Sequence, residues 1–152
     1  MKKNIAVLFV ALFCLSVISA TQMQAQKGAK TATVWPAADI KWVEMKGTPP
    51  GVKITSATLW GNMEKGAYGA LINLPANMSN PLHTHTATTK LVVISGTFWY
   101  QPEGGEKKML DAGSYLSVPG GLKHTSGTGD KGCTVMQEGS GAWDMNPVEM
   151  KK

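Results

Sequence analysis

Gly113-Ser114-Tyr115-Leu116-Ser117-Val118-Pro119-Gly120-Gly121-Leu122-Lys123-His124 opens as a strand, stops at a Pro-Gly-Gly turn and starts again two residues before a histidine. A tight turn of this composition launches a new strand in a fixed direction. Upstream, Pro81-Leu82-His83-Thr84-His85 sets two further histidines two residues apart. On an extended strand that spacing turns both imidazoles to one face, so both can bind a single ion. The chain has 3 histidines, and His83, His85 and His124 account for all of them. Neutral imidazole is a ligand for divalent zinc, iron, copper and nickel, so three converging rings would hold an ion and leave it coordinatively open.

Outward from these two runs the chain reads as short strands. Ile40 to Met45 alternates as a half-buried strand and is broken by Thr48-Pro49-Pro50-Gly51. Further candidates are Thr55 to Trp60, Ala67 to Leu74, Leu82 to Thr86, Lys90 to Ser95, Thr97 to Gln101, Lys107 to Leu110, Ser114 to Val118 and Cys133 to Gln137. Gly, Pro, Asn and Asp punctuate nearly every boundary. Gln101 to Glu106 and Gly127 to Gly132 read as hairpin tips. The second is glycine-rich but leads into a strand, whereas a phosphate cradle opens a helix. Strands at this spacing, with no helical period between them, indicate an all-β sandwich or barrel.

The run G-x5-P-x-G-x2-H from Gly113 to His124 resembles the second motif of the cupins, and His83-x-His85 followed by Gly96 resembles the first. From about Trp35 to Trp143 the chain is similar to a group of short, exported bacterial cupins of the RmlC-like kind. Pro75-Ala76-Asn77, Val93-Ile94-Ser95-Gly96-Thr97-Phe98 and Gly139-Ser140-Gly141-Ala142-Trp143 fall in the matching order. The resemblance implies a small β-barrel, the double-stranded β-helix or jelly roll, as a single domain over 26–152. It implies a metal at His83, His85 and His124.

The chain departs from the family pattern at one ligand. Where cupins carry a metal-binding glutamate stands Thr89, a possible fourth position in degenerate form, and the neighbouring register offers Lys90. A neutral hydroxyl is a poor anionic ligand and an ammonium repels a cation. The asparagine that can end the second motif is replaced by Thr128. Three neutral imidazoles would leave a divalent ion its full charge, which favours anionic, chelating guests. Such sites resemble those of some diketone and thiol dioxygenases, in which ferrous iron holds substrate and dioxygen together. The resemblance therefore implies a ferrous dioxygenase acting on an enol or diketone-like chelate, with zinc, nickel, manganese and copper compatible with the same ligands. The alternative is a noncatalytic cupin that binds or senses a metal or small ligand. Trp60, Leu91, Val93, Trp99 and Met136 are candidates to line the pocket.

Other constellations are weaker. The methionines lack the short repeated cluster of a soft-metal site and read as core filling. There is no Gly-x-Ser-x-Gly elbow, and with three histidines on a metal none remains as general base. The 152-residue sequence contains no arginine, which disfavours a phosphosugar substrate. Its net charge of +5 is scattered and falls to about +3 without Lys2 and Lys3, so no nucleic-acid partner is expected.

Met1-Lys2-Lys3-Asn4, the apolar run Ile5 to Ala20 and the polar Thr21 to Lys27 stretch read as a secretory signal peptide over 1–25, cleaved after Ala20 or Ala25. The run is too short and wrongly flanked for a stable membrane span. Export to the periplasm or exterior is the expectation. Cys14 would leave with the signal and Cys133 would remain as a buried thiol, without an intramolecular disulfide. Cupins often dimerise, so a homodimer is a further expectation.

Overall fold

In the computed structural model, residues 31–46, 48 and 51–149 are described. The signal-like segment over 1–25, with both cleavage positions and Cys14, lies outside the described residues. Residues 34–152 group as one unit. Its strands are β1 (Val43–Glu44), β2 (Thr55–Gly61), β3 (Tyr68–Leu74), β4 (Ser79–Thr84), β5 (Thr89–Pro102), β6 (Lys108–Asp111), β7 (Tyr115–Val118), β8 (His124–Gly139) and β9 (Asn146–Pro147). One 3-10 turn, Ala37–Asp39, precedes them. All the pairings are antiparallel, as the all-β expectation requires.

Two long strands organise the curled sheet. The 16-residue β8 pairs β3, β4 and β5, and the 14-residue β5 pairs β6, β7 and β8. Alternation decides which side chains enter the interior. Tyr68, Ala70, Ile72 and Leu74 on β3 are buried, as are Leu91 and Val93 on β5 and Cys133 and Val135 on β8. Each large apolar side chain removed from water contributes roughly 1.5–3 kcal/mol. The intervening Val92 and Ile94 face outward, 40% and 50% exposed. Cys133 is 3% exposed and burial pushes its thiol up to about 11, which keeps it protonated and inert.

Three sequence expectations are corrected. Lys90 to Ser95 and Thr97 to Gln101 are one strand, because Gly96, with φ of 73°, absorbs a bulge without ending the pairing. Gly127 to Gly132 is no hairpin tip and belongs to β8. There glycine serves close approach: a Cβ on Gly127 would sit 2.1 Å from the Met78 carbonyl oxygen and 2.6 Å from the Trp99 ring. Ile40 to Met45 shrinks to the two residues of β1, the length that pairs with β2.

Thr128 has a structural task. Its hydroxyl donates to the Pro75 carbonyl at 2.6 Å and accepts from the Met78 amide at 3.0 Å, pinning the loop that leads into β4. Asn77 in that loop takes a left-handed φ of 55°. The hairpin expected at Gln101 to Glu106 joins β5 to β6, with the Gly105 amide donating to Pro102.

Candidate metal centre

The register of β4 against β8 pairs His83 directly with His124, although 40 residues of sequence separate them. His85 follows just after β4 ends. Ring centroids are 4.2 Å apart for His83 and His124, 5.0 Å for His83 and His85, and 5.3 Å for His85 and His124. One ligating atom from each ring lies within 4.8 Å of the others. His83 and His124 are 1% and 3% exposed.

The backbone orients each ring. The Nδ1 of His83 faces the Pro81 carbonyl at 2.7 Å and that of His124 faces the Leu122 carbonyl at 2.9 Å, both two residues back along the chain. The Nδ1 of His85 faces the carbonyl of Asp144, far along the sequence. A carbonyl can only accept, so each Nδ1 carries the proton and each Nε2 keeps its lone pair. Three Nδ1 positions are thus committed to protein, and the three Nε2 positions are free for an ion. This is the tautomer pattern of imidazole ligands whose far nitrogen is anchored. The residues present fit a divalent cation.

Burial suppresses protonation. His83 is lowered from 6.5, chiefly by burial, against the pull of the Pro81 carbonyl, with His85 adding to the lowering. His124 is lowered to about 4 by burial, with both neighbouring imidazoles contributing. Neutral rings are the ligating form.

The segment that holds His85 is itself held. The Asp144 carboxylate accepts from the Thr86 amide at 2.9 Å, from the Thr86 hydroxyl, and from Asn146 Nδ2 at 3.0 Å. Beyond it β9 pairs β4, placing Pro147 opposite His83, and the Val148 amide donates to Leu82. On the other side the Pro119-Gly120-Gly121 turn packs closely. The Gly121 amide donates to His85 at 2.8 Å, and a Cβ on Gly120 would lie 2.3 Å from the Thr86 carbonyl oxygen.

The imidazoles open on a cavity of about 430 Å³ with mainly apolar walls, including Ile72, Leu74, Phe98 and Val135. Thr89, 9% exposed, and Leu91 line it. The other proposed lining residues lie elsewhere, for reasons of alternation and depth. Val93 is sealed in the core at 1% exposure. Trp99 points outward over Gly127 with the Lys107 ammonium 4.2 Å from its ring centroid. Trp60 covers Gly69 and is 46% exposed, and Met136 shares the outer row with Val92. Met45, Met78 and Met145 border the cavity instead. Lys90 and Lys123 face solvent, the latter 3.4 Å from Glu103.

Four polar residues at or behind the cavity escaped sequence reading. Tyr100 lies with its ring 5.2 Å from that of His124, Ser126 accepts from Asn80 at 3.0 Å, and Gln137 lines the far wall. Alternation from His124 along β8 would have marked Ser126 as inward. The bulge at Gly132 hides the parity that places Gln137 on the same side.

A curled antiparallel barrel with three imidazoles gathered at its cavity defines a cupin. The chain belongs to the family described as Domain of unknown function (DUF4437), which it matches over residues 33–151. No curated protein matches it. Among solved structures it is similar to the polyketide cyclase RemF from Streptomyces resistomycificus, at 19% identity over 80% of this chain and 89% of that one, with a TM-score of 0.63. An RmlC-like cupin from Shewanella frigidimarina has 19% identity over 74% and 93%, with a TM-score of 0.57. The DMSP lyase DddQ from Ruegeria pomeroyi has 20% identity over 68% and 57%, with a TM-score of 0.55. These likenesses concern the fold.

Proposed function

We propose that this chain is an exported cupin that binds one divalent metal through His83, His85 and His124 and acts as a ferrous-iron-dependent dioxygenase on a small enol or diketone-like chelate. The observation that carries the metal reading is three imidazoles with one ring nitrogen each within 4.8 Å of the others, the Nδ1 of each facing a backbone carbonyl so that its Nε2 is left for an ion. Bound ferrous iron supplies one-electron chemistry toward dioxygen, and zinc in the same place supplies Lewis acidity. The protein's own part is to orient the rings, exclude bulk water with the apolar wall, and provide the cavity in which a guest would sit beside them. Export rests on the signal-like 1–25 segment, and the working domain is the remaining 26–152.

Elemental analysis of untagged protein is expected to return one divalent metal per chain. Iron-reconstituted protein is then expected to consume dioxygen with members of a diketone and phenol panel. Tight guest binding without dioxygen uptake would favour the second reading, a noncatalytic binder, which the threonine at the motif's glutamate position supports. Thr89→Glu is expected to tighten zinc retention at least about tenfold, since a carboxylate near a divalent charge in a partly dry cavity gains more than ~1.4 kcal/mol. Unchanged retention in a chelator competition would remove Thr89 from the ion's surroundings.

The reading extends to a homodimer. Tyr115 pairs with Val92 on the outer sheet face, and these with Ile94 are 60%, 40% and 50% exposed, a contiguous apolar row suited to a second copy. Sedimentation is expected to give a dimer that Val92→Lys dissociates. A monomeric wild type would refute this.

A further inference from the structure

Gln137 lies on the cavity wall and is 8% exposed. Its amide meets the hydroxyl of Tyr68 at 2.5 Å, and Tyr68 is fully buried. The amide is placed with its nitrogen toward the phenol. Burial pushes Tyr68 up to about 12, so the phenol keeps a proton, and among the described residues Gln137 is its sole side-chain partner. A half-turn of the amide exchanges nitrogen for oxygen without changing its outline and gives that proton an acceptor. The short separation also suits O–H···O better than N–H···O. The NH2 group then lies on the side away from Tyr68.

That side is open. No buried side-chain nitrogen or oxygen among the described residues lacks a hydrogen-bond partner, so the unpartnered end of Gln137 must reach the cavity space. Thr89 stands diagonally across the β5–β8 pairing, where Leu91 opposes Gln137 and Thr89 opposes Gly139. Thr89 and Gln137 both line the cavity. Among the described lining residues none is a carboxylate, and Lys46 is the one fixed cation. A divalent ion on three neutral imidazoles would therefore keep its charge until a guest supplies the anion.

We propose that Gln137, oriented by Tyr68, and Thr89 form an oxygen-recognition subsite, and that the guest is a small oxyanion with an apolar body. One oxygen of the guest meets the metal centre and the other accepts from the Gln137 NH2 and the Thr89 hydroxyl. Enolates and carboxylates share this chemistry. Tyr68 is a positioning residue, because it acts through the amide and does not line the cavity. The inference rests on the metal-binding reading and adds the residues that grip the guest's second oxygen.

The test uses cobalt(II)-loaded protein, whose visible spectrum reports ligands that reach the ion. Acetylacetone, phenylacetate and imidazole are titrated into the wild type, Gln137→Leu and Tyr68→Phe. The wild type is expected to bind at least one oxyanion, acetylacetone alone identifying an enolate site and phenylacetate alone a carboxylate site. Gln137→Leu is expected to weaken oxyanion binding about tenfold, as loss of a buried hydrogen bond to a charged guest implies. Tyr68→Phe is expected to weaken it about threefold by freeing the amide to turn. Cobalt affinity and imidazole binding should stay at wild-type values in both variants. Oxyanion affinity unchanged in Gln137→Leu, equal weakening of all three probes, or no oxyanion binding by the wild type would each overturn the subsite. If Gln137→Leu does not fold, unchanged affinity in Tyr68→Phe overturns it alone. Failure of the wild type to bind cobalt is a separate result, which overturns the metal reading and the subsite with it.

Discussion

A His124→Ala variant is expected to lose its divalent metal during purification while keeping its barrel. His124 supplies one of three ligating nitrogens and is the first residue of β8, paired with His83. Removing a group that merely orients a ligand costs roughly 10–100-fold in metal affinity. Removing the ligand itself should exceed the upper figure, a fall of more than about hundredfold. Among the described residues the cavity lining holds no carboxylate to substitute, and the nearby Asp144 carboxylate is engaged by Thr86 and Asn146. The ring is anchored only to the Leu122 carbonyl, two residues away, so its loss disturbs no long-range tie. Chelator competition with zinc, alongside circular dichroism to establish folding, makes the measurement. A folded variant holding zinc as tightly as the wild type would show that His124 does not ligate.

The metal-free protein is expected to lose stability as pH falls from about 6.5 toward 4. In the unfolded chain the imidazoles titrate near 6.5. In the folded protein His124 is lowered to about 4, and His83 is lowered as well, with burial the largest cause for both. Between those values the unfolded state takes up protons that the folded state refuses, so acid shifts the equilibrium toward unfolding. For His124 alone the span corresponds to a loss on the order of 3 kcal/mol, and its burial at 3% exposure leaves little solvent screening. Urea midpoints at pH 7.5 and pH 4.5 measure it, with His124→Gln as a control whose slope should be shallower. A metal-free wild type equally stable at both values would remove the burial argument.

Much of the barrel was legible because strands carry their own punctuation. The G-x5-P-x-G-x2-H run placed a strand, a turn and His124 correctly relative to His83 and His85, since the spacing of two and the Pro-Gly-Gly turn are local signals. What was not legible is what glycine does inside a strand. Gly96, Gly127 and Gly132 look like turn formers in sequence, yet the first and last bend β5 and β8 with positive φ and Gly127 admits the Met78 carbonyl. The choice between turn and bulge depends on a partner strand that no local window contains. The pocket walls were missed for the same reason, because each bulge resets which residues face inward. Leu91, ahead of the bulge, lines the wall as its alternation indicates, whereas beyond the bulge Gln137 faces inward and Met136, the residue the sequence points to, faces outward with Val92. The tie between His85 and Asp144 spans 59 residues and has no local signature.

That tie sets an order of assembly. His83 and His124 take their orienting carbonyls from residues just behind them, so each ring can be steered as soon as its own strand exists. His85 must borrow its carbonyl from Asp144, 59 residues further along, so a growing polypeptide emerging amino end first presents two prepared imidazoles and one unsteered ring until the stretch around residue 144 docks. A chain cut short before residue 144 would therefore lack the carbonyl that steers His85, and would be left with a barrel wall and an unfinished centre.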